Sequence, residues 1–191
     1  MFSALQLCDE YGFHEVSGWV KQLDGWMKFR RGERASGVAQ MREAIEELRA
    51  LGSFVMSTWR LVLLADMQLE AGDIHSAEAT AAEAVENLER TREGWCEPEV
   101  YRVEAGVLLR RPKPDTRAAE VRLRRAIGIA QSQGTKWWEL RATMSLARVL
   151  RDTGYRDEAR TMLADIYNWF TEGFDTADLK YAKVLLDELS R

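Results

Sequence analysis

The sequence predicts an all-α fold of stacked helical hairpins, and three observations lead there. One comb of small residues runs Gly25, Ala65, Ala105 and Ala147, at spacings of 40, 40 and 42. A second runs Gly37, Ala77, Ala119 and Ala159 at 40, 42 and 40, and Ala44, Ala84, Ala126 and Ile166 repeat those spacings. Glycines then close successive units at Gly12, Gly52, Gly94, Gly134 and Gly173. Helix ends favour glycine because it reaches positive φ without a Cβ clash. Periods of this length mean stacked helical hairpins, with small residues where the two helices of a pair cross.

The elements follow in order. Residues 1–12 hold one helix, FSALQLCDEY, ending at Gly12. Ala4 lies 40 residues before Ala44, so this is the second helix of a repeat whose first helix is absent, as in a fragment of a longer protein. The first hairpin, 13–52, turns at Gly32, and the second, 53–94, turns at Gly72-Asp73. The stretch STWRLVLLADMQLEA in the second is the most apolar helix of the chain, which suits a central position. The third hairpin, 95–134, starts with Pro98 in a first turn and turns through Arg111-Pro-Lys-Pro-Asp-Thr116, since proline cannot continue a helix. The fourth, 135–173, is LRATMSLARVLRDTGYRDEARTMLADI between Leu140 and Ile166, broken at Gly154. A capping helix, 174–191, has Asp175 as its expected N-cap and an apolar stripe of Leu179, Ala182, Leu186 and Leu189. About ten helices in one repeat domain, 1–191, are therefore expected.

Composition fits this picture. The chain has 191 residues, 46% hydrophobic and 30% charged, and a net charge of −4 that does not favour nucleic acid or an acidic membrane. No apolar run approaches the ~20 residues needed to span a bilayer, and no signal-peptide pattern opens the chain. Cys8 and Cys96 match no zinc or redox spacing and read as thiols of a reducing cytoplasm.

The order Leu-Ala, Gly, Glu-Ala and a further Ala resembles the tetratricopeptide repeat, whose usual period is ~34 residues. A 40-residue period also fits HEAT or armadillo units, but the small residues fall at the tetratricopeptide crossing points. The resemblance implies a right-handed superhelix. Further, the stretch WELRATMSLARVLRDTGYRDEARTMLADIYNWFTEGFDTADLKYAKVLLDEL is similar to the C-terminal repeats of bacterial class III adenylate/guanylate cyclase-like proteins. The segments EPEVYRVEAGVLL and AEVRLRRAIGIAQSQGTKWWELR match the same region, and NWFTEGFDTADL is its most specific part. In that family a cyclase domain and an ATPase module precede the repeats. The resemblance carries over no catalytic residue. It implies the sensing or partner-binding end of a signalling protein.

No chemistry is expected of the chain itself. It has no phosphate-binding loop and no dinucleotide fingerprint, so no enzyme activity and no cofactor are predicted. His14 and His75, more than one repeat apart, read as surface residues rather than metal ligands. Arg122, Arg124 and Arg125 beside Glu120 read as a solvated face, and Trp137, Trp138, Trp169 and Phe170 as packing at repeat junctions.

A protein or peptide is the expected partner. First helices line the concave groove of such a stack, which offers Trp19, Gln22, Trp26 and Phe29, then Trp59, Val62, Asp66 and Leu69. Arg102 and Leu109 follow, then Arg141, Met144, Arg148 and Arg151. An aromatic end and a basic end suit a peptide with an apolar anchor and an acidic stretch. The alternative is that the tryptophans pack between repeats and the arginines pair with Glu70, Glu104 or Asp152. Another reading is a scaffold that only self-associates. A weak homodimer through Phe2, Leu5 and Cys8 of the half repeat is expected in either case.

Overall fold

The computed structural model describes residues 4–190, apart from the side chains at positions 4, 5 and 9. Among them are ten α-helices and no strand: α1 (Ala4–Tyr11), α2 (His14–Arg30), α3 (Arg34–Ala50), α4 (Ser57–Ala71) and α5 (Ile74–Thr91). After a 3-10 turn at Gly94–Cys96 come α6 (Glu97–Arg110), α7 (Thr116–Gln133), α8 (Lys136–Asp152), α9 (Arg156–Tyr167) and α10 (Ala177–Leu189). Residues up to Glu93 form one compact unit and residues from Gly94 another.

Turn chemistry sets the helix ends. Asp73 caps α5 by accepting the Ser76 N–H at 3.1 Å, and Asp115 caps α7 by accepting the Ala118 N–H at 2.9 Å. Each cap satisfies one amide that the first helical turn leaves over. Gly72 and Gly134 end α4 and α7 in the left-handed conformation. Two expectations shift. At the end of α5 it is Arg92, not Gly94, that takes positive φ, and Gly94 lies in the following 3-10 turn. For α10 the N-cap is Thr176 rather than Asp175, with its hydroxyl donated to the Gly173 carbonyl at 2.6 Å. The helix therefore begins two residues after Asp175, and Asp178 supplies the acid of its first turn.

In the first unit, α2 packs on α3, α3 on α4, α4 on α5, and α1 on α2. The α2–α3 crossing is the tightest point: a Cβ on Gly37 would lie 2.6 Å from the Gly25 carbonyl oxygen and 2.7 Å from the Phe29 nitrogen. Only glycines allow that approach. Ala65, Ala77, Ala105, Ala119, Ala147 and Ala159, the other members of the two combs, are all fully buried. In the second unit α8 packs against α6, α7, α9 and α10. Its core joins Leu123 and Ala126 of α7 to Leu140, Leu146 and Leu150 of α8, Leu163 of α9 and Leu179 of α10. The α10 stripe includes Leu185 as well as the expected Leu179, Ala182 and Leu189.

Cys8 is buried, so it forms no part of an open N-terminal face; Phe2 and the Leu5 side chain lie outside what is described.

Candidate interaction surfaces

Two surfaces bear on binding, one in each unit. In the first unit it is the outer side of α2. A helical period puts Val16, Trp19, Leu23, Trp26 and Met27 on one face and Gly18, Gly25 and Phe29 on the opposite one. The second set faces α3, where a Cβ on Gly18 would lie 2.6 Å from Leu48. The first set faces solvent: Trp19 is 40% exposed, Trp26 43% and Leu23 65%. Five large apolar side chains along one helix make a contiguous patch, unlike single exposed residues, which need no explanation.

The groove residues expected on α2 are thus half corrected. Trp19 and Trp26 are on the open face, but Phe29 is buried against Gly37. Val16, Leu23 and Met27 belong to that face and were missed. The signal was present in the glycines. Gly18 and Gly25, seven apart, mark the side that meets α3, so the apolar residues opposite them must face away. On α4, Trp59 and Asp66 are half-buried, while Val62 and Leu69 are buried in the core. Gln22 on α2 is half-buried too.

In the second unit the distinct surface carries arginines of α6 and α8, met by acids of α6, α8 and α10. Arg102 and Arg141 both reach the buried Glu99, at 2.9 and 3.1 Å, and Arg141 also lies 3.9 Å from Asp178. Arg151 bridges Asp152 at 2.9 Å and Glu188 at 2.8 Å. Three of the four expected arginines are therefore ion-paired. Arg148 is different: among the described residues no carboxylate reaches it. Although part of it is open to solvent, burial and then the like charges of Arg151, Arg102 and Arg110 lower its pKa, with Glu188 opposing. Arg110, at the end of α6, donates to the Gly106 carbonyl at 3.3 Å and meets no carboxylate among the described residues. Met144, expected on this face, is buried in the core, and Leu109 is half-buried against it.

The remaining motifs are structural contacts. Arg122 meets Glu104 at 3.3 Å, Arg124 meets Glu120 and Glu158, and Arg125 meets Glu97 at 3.7 Å. Burial raises the pKa of Glu104, against the pull of Arg122 and Arg125. Trp137 packs edge-on to Phe170, and so does Trp169, whose face is covered by Lys136. His14 and His75 are exposed in the first turns of α2 and α5. Among the described residues no group of His, Cys, Asp and Glu could hold a metal, and no helix is long and apolar enough to cross a membrane.

No protein-family model matches the chain, and a search of curated proteins gives no match.

Proposed function

We propose that the chain is a tetratricopeptide-like, right-handed stack of helical hairpins, closed by α10, that binds a protein or peptide and catalyses nothing itself. Its place is the regulatory or sensing end of a bacterial cyclase-like signalling protein in the cytoplasm. The observation that carries the binding role is the open face of α2, with Val16, Trp19, Leu23, Trp26 and Met27 in one stripe. Support for the repeat reading comes from the glycine crossing of α2 on α3 and from the buried alanines at equivalent positions. The two buried free thiols, Cys8 and Cys96, agree with a reducing compartment.

A partner helix or extended segment with apolar anchors suits the α2 face, where tryptophans make strong anchors. Acidic residues on the partner suit the face around Arg148 and Arg110, neither of which is ion-paired among the described residues. Panning a random peptide library against the chain, then counter-screening with Trp19→Ala/Trp26→Ala, tests the role. Enriched peptides should carry large apolar residues and lose affinity at least about tenfold on the variant, a hot-spot effect. Peptides that bind both proteins equally would remove α2 from the site. Arg148→Glu/Arg151→Glu should weaken peptides rich in acidic residues with little change in melting.

Self-association without a separate ligand is the second reading, because the same stripe could cover its equivalent on another copy. Light scattering across a concentration series separates the two: a monomer that binds peptides supports the first, a concentration-dependent dimer that binds none supports the second.

A further inference from the structure

The inside of the first unit holds an arrangement that peptide binding at α2 does not use. Arg60, in the first turn of α4, is 4% exposed. Its guanidinium donates to the Ser53 carbonyl at 3.2 Å and to the Ser53 hydroxyl at 3.4 Å, and among the described residues it meets no carboxylate. Burying a cation without a counter-charge is costly. Beside it lies a cavity of about 30 Å³, lined by Arg49, Arg60, Arg90, Ser53, Ser57 and Asn87 over a floor of Ile45 and Leu61. Three guanidinium groups and no acid line that space.

The acids nearby bind lining residues from outside the cavity, and none of them reaches Arg60 or Arg90 among the described residues. Glu83 pairs with Arg49 in an exposed position. Glu15 accepts from the Ser53 hydroxyl, and Glu93 accepts the Thr58 N–H at 2.8 Å. Arg90 donates to the Asn87 side-chain amide oxygen and stacks on Phe54 at 5.2 Å from the ring centroid, again with no carboxylate among the described residues. Consistent with an uncompensated charge, burial depresses the Arg60 pKa, while Glu15 and Glu93 oppose this from a distance. The cavity exceeds the ~10–15 Å³ that one water needs and admits one small tetrahedral group.

We propose that the cavity bounded by Arg49, Arg60 and Arg90 is a binding site for a single phosphate group. Guanidinium forks match phosphate oxygens in pairs. Arg60 and Arg90 supply donors, and the apolar residues Ile45 and Leu61 strengthen each charge interaction by lowering the local dielectric. Phe54, which also lines the cavity, stacks on the Arg90 guanidinium. This site is independent of the α2 face and of the fold family proposed above.

The test uses the full chain in phosphate-free buffer, with melting followed as inorganic phosphate is added. Sodium chloride at matched ionic strength and sodium acetate are the controls. Wild type should show a saturable rise in melting temperature with phosphate that neither control reproduces. Arg90→Gln should need at least about tenfold more phosphate for the same rise, through loss of one charged donor. Arg60→Met should melt no lower than wild type without phosphate and should not respond to it. A phosphoserine peptide that raises melting at lower concentration than phosphate identifies the group as a monoester; the reverse order identifies the free ion. Two results overturn the proposal. One is a wild-type response to phosphate no larger than to chloride or acetate. The other is an Arg60→Met protein that melts well below wild type yet keeps its phosphate response, which would make Arg60 only a strap to Ser53.

Discussion

Helices α2 and α8 are each 17 residues long and each opens a hairpin, yet α2 buries four residues and α8 nine. The second is enclosed by α6, α7, α9 and α10. The first packs chiefly on α3, with α1 beside it. Because its partner approaches over Gly18 and Gly25, α2 gives its contact side to residues with no side chain. Its large apolar residues are left for the other side. An apolar helix is thus no guide by itself to a core helix; the position of the small residues tells which face the neighbour takes.

The largest expected effect sharpens this contrast. Leu146→Ala in α8, where the side chain is wholly buried, should cost about 2–5 kcal/mol. Leu23→Ala in α2, 65% exposed, should change stability by under ~0.5 kcal/mol. Denaturant titration of the two variants measures both, and equal losses would mean that the outer face of α2 is covered in solution.

Crossing points come next. Gly37→Ala places a methyl group on the Gly25 carbonyl and should cost about 1–3 kcal/mol through overpacking, even after the gain in helix propensity. Ala147→Leu at the buried α8 crossing position should cost a similar ~1–3 kcal/mol. Gly128 is the control: it sits inside α7 with nothing within 4 Å of a built Cβ. Gly128→Ala should stabilise by roughly 0.5–1 kcal/mol. A thermal melt in which Gly37→Ala and Gly128→Ala moved together would contradict the glycine-mediated approach.

A smaller effect lies at the α5 cap. Asp73→Ala should cost about 1 kcal/mol at neutral pH. The hydrogen bond from the Ser76 side chain, and then that from its backbone N–H, lowers the Asp73 pKa. The contribution is therefore fully present above the unfolded value near ~3.9 and is lost as pH falls through the depressed folded value. The deficit of the variant should shrink below about pH 4. A deficit that persists unchanged in acid would assign it to packing rather than to the carboxylate.

Much of this architecture was legible because it is written in local chemistry. Gly72-Asp73 and Arg111–Thr116 give turns from their own residue types, and Gly25 and Gly37 mark a crossing by their lack of a side chain. Other features depend on what a neighbour does. Phe29, Met144 and Val62 have the spacing of groove residues, but packing against the adjacent helices buries them. Arg102 and Arg141 look alike in the sequence to Arg148, and the buried Glu99 that they share sets them apart. Arg60 lay within an apolar helix with no signal that its charge would be enclosed without a carboxylate.

The most direct measurement is a paired one on the α2 face: peptide affinity and melting temperature of wild type and Trp19→Ala/Trp26→Ala, with a library-selected peptide. An open binding face requires the double variant to lose at least about tenfold in affinity, as hot-spot residues do, while its melting temperature stays within experimental error. Unchanged affinity, or a variant that loses several degrees of stability, would show that the tryptophans serve the fold and that α2 is not a docking surface.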